Sequence, residues 1–501
     1  MRTIVAALLA AFAVSIPAAC QEPSGAQLKA LLQRLEAKVE QLTSQVEAQR
    51  ADIERLRAAL AESRLEAGGQ RLEVSQPAAQ SFQSPTSGLQ PPAAADRQTV
   101  AGIQFSGDFR LRLDAALRSS NQFAGPLQNV RGRYRLRLNA DRSLDRRFDV
   151  HLQLATGALN NPLTNDQDMA GMNAKHPFSV AEAWVDFHPH ANFSIRAGRM
   201  PEVFRRRTRF VWDDDIRFNG FQQIARLPLA DGPLGLKSVE FRAGEYLLSN
   251  PNIAALPASS PLVAAGFQPG KKVRDAALFH PGFFTEGSLG SRWKQEVMSD
   301  VQLFRNPNQI QLASLASGFP VLINPALGVA LSGPINEQGS ATSTADRTRY
   351  YATHFRIVHL GYRLQHDGWT LRGREMPAWL DVRLARNVGA SKLRDAVLIG
   401  ANVGDIRRAG DMRFLYEYFI KDANSLLAQF TDDDVGTGSG VNIAVHGMRF
   451  DLGLARFLQW ENLLFVQHER RASNPAENLF VPLPRGANPT FRFLSQLNFS
   501  F

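Results

Sequence analysis

The chain has 501 residues, and its 57 Lys and Arg exceed its 47 Asp and Glu by a formal net charge of +10. One cysteine excludes an intrachain disulfide. No stretch reaches the ~18–20 uninterrupted apolar residues of a membrane helix, so any membrane crossing must be made by strands; a slightly negative mean hydropathy is compatible with that, because strands hide their hydrophobicity by alternation.

Met1-Arg2 precede an apolar run from Ile4 to Ile16, followed by Pro17-Ala18-Ala19-Cys20. A basic start, a short apolar core and small residues predict a secretory signal over 1–20, with a mature chain from Gln21. Cys20 after two alanines leaves lipidation open, although Pro17 stands where a Leu-like residue is usual; ordinary cleavage is the favoured reading. Export leaves two homes, a soluble periplasmic or secreted protein and a β-barrel in the bacterial outer membrane.

Residues 27–66 carry a heptad seam. Leu28, Leu35, Leu42, Gln49 and Leu56 occupy one position, and Leu32, Val39, Val46, Ile53 and Leu60 the other. About five heptads without Pro or Gly predict a periplasmic coiled coil, hence a homo-oligomer; a single helix packed on a domain would not need so narrow a seam. β-branched residues opposite Leu lean towards a parallel dimer, and Gln49 would help to set register. Residues 67–100, with Pro77, Pro85, Pro91 and Pro92, form a linker too polar to fold.

From 101 to 501 the chain turns to short alternating stretches. Ile103, Phe105, Phe109, Leu111 and Leu113 share one face of a strand, with Asp108, Arg110 and Arg112 opposite. Tyr134, Leu136, Leu138 and Ala140 alternate with Arg133, Arg135, Arg137 and Asn139. Strands over 148–154, 181–187 and 193–197 follow. Others are expected near 218–227, 238–247, 275–284, 293–304, 350–364, 378–387, 395–403, 412–421, 440–454, 457–468 and 489–501. Short turns alternate with long loops, as a membrane barrel requires. The expected fold is an all-β transmembrane barrel of about 16 antiparallel strands, eighteen being the alternative count, preceded by the N-terminal α-helical coiled coil. Two places are irregular: Pro281-Gly282 inside a strand, and a phase slip at Gly447 that predicts a bulge.

The closing strand places Phe491, Phe493, Leu497, Phe499 and Phe501 on one face, interrupted by Ser495. Arg492, Gln496, Asn498 and Ser500 fall on the other, with Leu494 the exception. A C-terminal strand ending in an aromatic residue resembles the closing strand of bacterial outer-membrane proteins, whose last residue is read by the barrel-assembly machinery. Phe501 is therefore the expected closure, and outer-membrane lipid the expected surroundings.

A wide barrel encloses water, so inward residues set what passes. Arg110, Arg112, Arg133, Arg135 and Arg137, with Arg131, form a ladder on two adjacent strands that would line the channel and favour anions. Alternatively they pair with carboxylates such as Glu182, Asp186 and Glu417 and stiffen the wall. The third outer loop holds Arg205, Arg206, Arg207 and Arg209, then Asp213, Asp214 and Asp215. Folded inward, it would place opposite charges at a constriction; the competing readings are mutual neutralisation and a divalent-cation site. Asp432-Asp433-Asp434 reads as a solvated outer surface.

Nothing reads as catalytic, and no cofactor or metal is called for. The ten histidines lack ligand spacing, His188 and His190 flank Pro189 in a turn, and no Gly-rich phosphate loop follows a strand. An outer-membrane lipase is a minor alternative. Export makes a nucleic-acid partner a poor reading of the basic balance.

Several motifs resemble the bacterial putative porin family: Asn161-Pro162, Ala183-Trp184-Val185-Asp186-Phe187, and Ala197-Gly198-Arg199-Met200-Pro201 followed by Phe210-Val211-Trp212-Asp213-Asp214-Asp215. Tyr416-Glu417-Tyr418 leading to Asp422-Ala423-Asn424, and the layout of 411–455, are similar too. The resemblance covers essentially all of 101–501 and implies a trimeric outer-membrane diffusion channel; no pore residue carries over, because that family's pore lining is not a fixed motif. The expected function is passive diffusion of small hydrophilic solutes, with anions favoured. The alternative is a structural anchor in which the coiled coil, roughly 60 Å long if fully helical, tethers the membrane to peptidoglycan.

Overall fold

The computed structural model describes residues 98–118, 127–157, 163–169, 175–204, 209–229, 232–249, 275–307, 323–324, 329–330, 336, 351–371, 373–432, 434–435, 440–470 and 489–501. The chain divides into two units, 1–83 and 84–501. The signal, the coiled-coil seam and the linker as far as residue 97 lie outside the described residues, so the architecture below is that of the second unit. The last three residues assigned to the linker, Gln98–Val100, depart from that expectation, because they form a short strand paired antiparallel with Ile103–Phe105.

Sixteen strands form its wall: β1 (Ile103–Arg118), β2 (Leu127–Ser143), β3 (Phe148–Thr156), β4 (Phe178–His190), β5 (Phe193–Met200), β6 (Phe218–Pro228), β7 (Leu236–Ser249) and β8 (Ala276–Leu289) are the first eight. β9 (Trp293–Arg305), β10 (Arg356–Leu371), β11 (Arg374–Asn387), β12 (Asp395–Gly404), β13 (Met412–Lys421), β14 (Ile443–Ala455), β15 (Leu458–Glu469) and β16 (Thr490–Ser500) complete it. Each strand pairs antiparallel with its sequence neighbours, and β1 pairs with β16, from Asp108 opposite Ser500 to Leu117 opposite Phe491. The sheet thus closes on itself and leaves no strand edge unpaired, the condition for strands to sit in hydrocarbon.

The two ends of the barrel differ. Connections 144–147, 191–192, 229–235, 290–292, 372–373, 405–411 and 456–457 are short and share one end with Phe501. The other end carries eight connections in chain order, 119–126, 157–177, 201–217, 250–275, 306–355, 388–394, 422–442 and 470–489, six of which are long. Polarity is inverted relative to a water-soluble protein. Phe105, Leu113, Phe221, Phe241, Phe283, Leu360, Leu380, Phe414 and Phe493 stand exposed on the outer face. Arg110, Gln153, Gln222, Arg242, Asp300, Asp381, Asp451 and Gln496 are buried on the inner one. Alternation along each strand produces this inversion, and each apolar side chain covered by lipid would contribute about 1.5–3 kcal/mol. At the short-turn rim, Trp293, Trp369, Phe457 and Phe148 add an exposed aromatic band of the kind that sits at a membrane interface.

The two irregular places resolve differently. Pro281 and Gly282 do lie within a strand, β8, which keeps its register through both residues against both neighbours and shifts against β7 only near its ends, at Ala276/Ala277 and Glu286/Gly287. Towards β9 the bridges pass from Phe279–Leu303 to Gly282–Asp300, skipping His280 and Pro281, as expected where proline has no N–H to give. The bulge expected at Gly447 is absent: β14 holds one register through Gly447 with both neighbours, and its shift falls between Gly453 and Ala455. Ile443, Val445 and Gly447 all point inward and are buried, whereas Met448 points outward. The apparent slip marks the level at which the inner face turns apolar. Leu494 on β16 has the same cause; it is fully buried inside the barrel against apolar loop residues.

Closure at the seam depends on Gly107. Its N–H donates to Phe501 O at 2.7 Å, and Phe501 N–H donates back to Gly107 O at 3.1 Å. A Cβ there would stand 2.6 Å from Arg137 O and 2.6 Å from the Phe501 ring. Gly107→Val should therefore destabilise the barrel by about 1–3 kcal/mol. The measurement is the temperature at which the folded, fast-migrating form unfolds in SDS; a transition unmoved from wild type would show that the seam does not need the glycine.

Candidate functional site

Arg110 and Arg112 of β1 and Arg131, Arg133, Arg135 and Arg137 of β2 fall on every second residue, so pleating places these six on the inner face. Cross-strand register sets Arg110 opposite Arg135 and Arg112 opposite Arg133. Such a stack of like charges is tolerable only with anions between, and the structure supplies them. Arg135 and Arg137 both reach Asp108 on the same wall, at 2.8 and 2.7 Å. Arg131 and Arg492 both reach Asp114, at 2.9 Å. The other anions arrive on long connections folded into the barrel.

Connection 157–177 contributes Asp166, which bonds Arg110 and lies 2.9 Å from Arg112 and 3.6 Å from Arg133. Asp168, in a two-residue strand (Gln167–Asp168) paired to β2, lies 2.8 Å from Arg133 and 3.1 Å from Arg131. Connection 201–217 contributes Asp215, 3.8 Å from Arg135 and 3.7 Å from Arg137. Connection 422–442 contributes Asp434, 3.0 Å from Arg112 and 3.2 Å from Arg492. Burial opposes ionisation of Asp166 and Asp215, but the surrounding guanidiniums outweigh it and hold both carboxyls well below the usual range. The ladder is thus interleaved with aspartates along its length.

These partners are not the carboxylates singled out in the sequence. Glu182 instead binds Arg217 at 2.5 Å, Asp186 binds Arg196 at 2.7 Å, and Glu417 is buried on β13. The run 432–434 also departs from its expected place. Asp432 and Asp434 are buried inside the barrel rather than solvated outside, because Arg209 holds them at 3.2 and 2.5 Å. Asp433 lies outside the described residues.

Of the expected constriction residues, Arg205, Arg206 and Arg207 lie outside the described residues. Arg209 joins the third long connection to the seventh through those aspartates. Asp213 accepts the Asp215 N–H at 2.7 Å, and Asp214 O accepts from Arg217 at 2.9 Å. Asp215 accepts twice from Asn165, backbone and side chain, both at 3.0 Å, which ties the second connection to the third. Asp213 N–H donates to Phe430 O at 2.9 Å, tying the third to the seventh. Among the described residues no group of His, Cys, Asp or Glu is arranged to hold a metal ion.

Apolar packing reinforces the same assembly. Phe210, Val211, Trp212 and Ile216 of the third connection join Leu426, Leu427, Phe430, Val435 and Val441 of the seventh in one buried cluster, which continues onto inward-facing Leu278, Ile357, Leu398, Phe419, Val445 and Leu494. Trp212 meets the Phe218 ring edge-on at 5.2 Å and the Phe430 ring at 6.1 Å. At the base of the third connection Tyr246 Oη accepts from Val203 N–H at 2.8 Å and from Gln222 at 3.0 Å. Beside it His280 bonds Asp300 at 2.8 Å and His359 bonds the other Asp300 oxygen at 2.7 Å, a bridge across β8, β9 and β10. No local spacing announces that bridge; only strand pairing brings the three residues together.

A family model described as "Putative porin" matches residues 119–250. No curated relative matches the chain. Solved structures similar to it include Pseudomonas putida OprB at high pH, with 10% identity and a TM-score of 0.42, covering 80% of this chain and 94% of that one. Salmonella typhi OmpF in complex with daunomycin has 7% identity and a TM-score of 0.40, covering 80% and 98%. An anion-selective porin from Comamonas acidovorans has 9% identity and a TM-score of 0.40, covering 80% and 99%. The matched segment spans β2 to β7 and carries most of the arginine ladder together with Asp166 and Asp215, and with the closed sixteen-strand barrel it supports a bacterial putative porin of the outer membrane.

Proposed function

We propose that this chain is a porin that lets small hydrophilic solutes diffuse passively across the outer membrane, with a modest preference for anions. The observation that carries the reading is the inverted barrel: a closed antiparallel wall, apolar outside and charged inside, narrowed from its long-connection end by inward loops. The arginine ladder supports the anion preference, and its interleaved aspartates keep that preference small. Eight arginines (Arg110, Arg112, Arg131, Arg133, Arg135, Arg137, Arg209 and Arg492) share seven aspartates (Asp108, Asp114, Asp166, Asp168, Asp215, Asp432 and Asp434), which leaves a slight positive excess along that side.

The third and seventh connections, joined through Trp212, Phe430 and Arg209, form the narrowing body in this reading. Opposite charges meet within it as expected of a constriction, but across loops rather than along one. A second reading, a tether to the cell wall, rests on the heptad seam of 27–66, and the oligomer, a trimer or the dimer the seam favours, is proposed on the same footing. The two readings are separable. Deleting 27–66 should leave conductance intact, and envelope detachment in that deletion would mark tethering as real.

In planar bilayers the purified protein should give discrete conductance steps, with a reversal potential of anion sign in a salt gradient; the absence of steps would sink the porin reading. Replacing Arg133, Arg135 and Arg137 together by Gln should move the reversal potential towards cations, and an unchanged value would confine the ladder to a structural role. Trp212→Ala, which removes about 3–5 kcal/mol of packing between the two loops, should give larger and noisier steps. Steps indistinguishable from wild type would show that the loop pair does not limit flow.

A further inference from the structure

Asp434 is surrounded by three guanidinium groups from three separate elements. Arg112 of β1 places Nη1 3.0 Å from Oδ1 and 3.2 Å from Oδ2. Arg492 of β16 places Nη2 3.2 Å from Oδ1. Arg209 of the third connection places Nη1 2.5 Å from Oδ2. The side chains of Arg112, Arg492 and Asp434 are at most 5% exposed, and Arg209 is 14% exposed, so the group opens on its Arg209 side.

Converging guanidiniums that cover both oxygens of a carboxylate are the donor set by which proteins bind carboxylate ligands. Here the carboxylate belongs to the chain itself and is delivered by a loop, whereas two of its three partners belong to the wall. Each arginine also has a second anion: Arg112 has Asp166 at 2.9 Å, Arg492 has Asp114 at 2.9 Å, and Arg209 has Asp432 at 3.2 Å. Loss of Asp434 would therefore leave all three still held in position, with one positive charge uncovered. Burial works against the charged form of Asp434, but Arg112, Arg209 and Arg492 outweigh it and hold its carboxyl well below the usual range, so it is ionised throughout the physiological range.

We propose that Asp434 is a tethered counter-anion that occupies a carboxylate-binding site on the inner wall, that it limits the channel's preference for anions, and that a small free carboxylate takes its place when it is removed. The proposal rests on the porin reading and deepens it. Sequence gave no sign of it, because Arg112, Arg209, Asp434 and Arg492 are brought together only by closure of the barrel and the folding-in of two loops.

The test is the reversal potential of wild type, D434N and D434A in planar bilayers under a chloride salt gradient. Both variants should raise the anion-to-cation permeability ratio by about twofold or more. Formate should then return D434A towards the wild-type value, because the shortened side chain leaves room for it. D434N should not respond, because its amide still fills the site. Conducting variants with wild-type selectivity, or formate acting equally on all three proteins, would overturn the proposal. If neither variant inserts, R209Q replaces the most exposed of the three cations and should shift selectivity towards cations; no shift there also overturns it. A wild type without conductance steps refutes the porin reading instead, and so remains distinguishable.

Discussion

A guanidinium on the inner wall of a barrel cannot be left alone. Arg110, Arg112, Arg133 and Arg135 are all buried, and the neighbour of each across the strand is another arginine, so each needs an anion within reach. The structure meets this constraint by bringing carboxylates to the ladder from outside the wall. Asp166, Asp215 and Asp434 each arrive on a different long connection, and each lies close to at least two arginines. The inward course of the second, third and seventh connections follows from that need. So does their mutual attachment through Asn165, Arg209 and the Asp213–Phe430 backbone bond.

Apolar packing then fixes what the charges have drawn in. Near the long-connection end the inner wall changes character, from Arg, Asp and Gln to Leu278, Ile357, Leu398, Val445 and Leu494. Those residues have no lipid to face; they face Phe210, Trp212, Leu426 and Phe430 of the loops. The barrel therefore carries two apolar surfaces on opposite sides of one sheet, an outer belt for the membrane and an inner patch for its own loops. A solute would pass beside this body, along a wall whose charges are nearly balanced. In the proposed reading, that near balance keeps the anion preference modest and leaves a single loop carboxylate in a position to change it.

The wall was readable residue by residue because a strand declares its two faces every second position. Sixteen strands, their order, and the asymmetry between short and long connections all follow from that alternation and its interruptions. The apparent faults were informative as well. Leu494 on the polar face of the last strand and the phase change around Gly447 both mark where inward apolar residues meet the loops, and neither is a bulge. The loop contacts were not readable in the same way. Asp432 and Asp434 look like any exposed acidic turn until Arg209, more than two hundred positions earlier, is placed beside them. The His280–Asp300–His359 bridge is hidden for the same reason, since each member sits on its own strand.

The amino-acid sequence by itself determined that strands would form, that they would bury charge and expose hydrocarbon, and that the last of them would end in Phe501 at the closing seam. These are local consequences of side-chain period, and a period of two leaves little choice. Tertiary structure decided which charges meet. Pairing an arginine with a carboxylate depends on closure of the ring and on how far each loop reaches inward, and neither distance is encoded between neighbouring residues. Six of the eight arginines lie within one short stretch from 110 to 137, whereas the loop anions that offset them come from three connections scattered from 166 to 434.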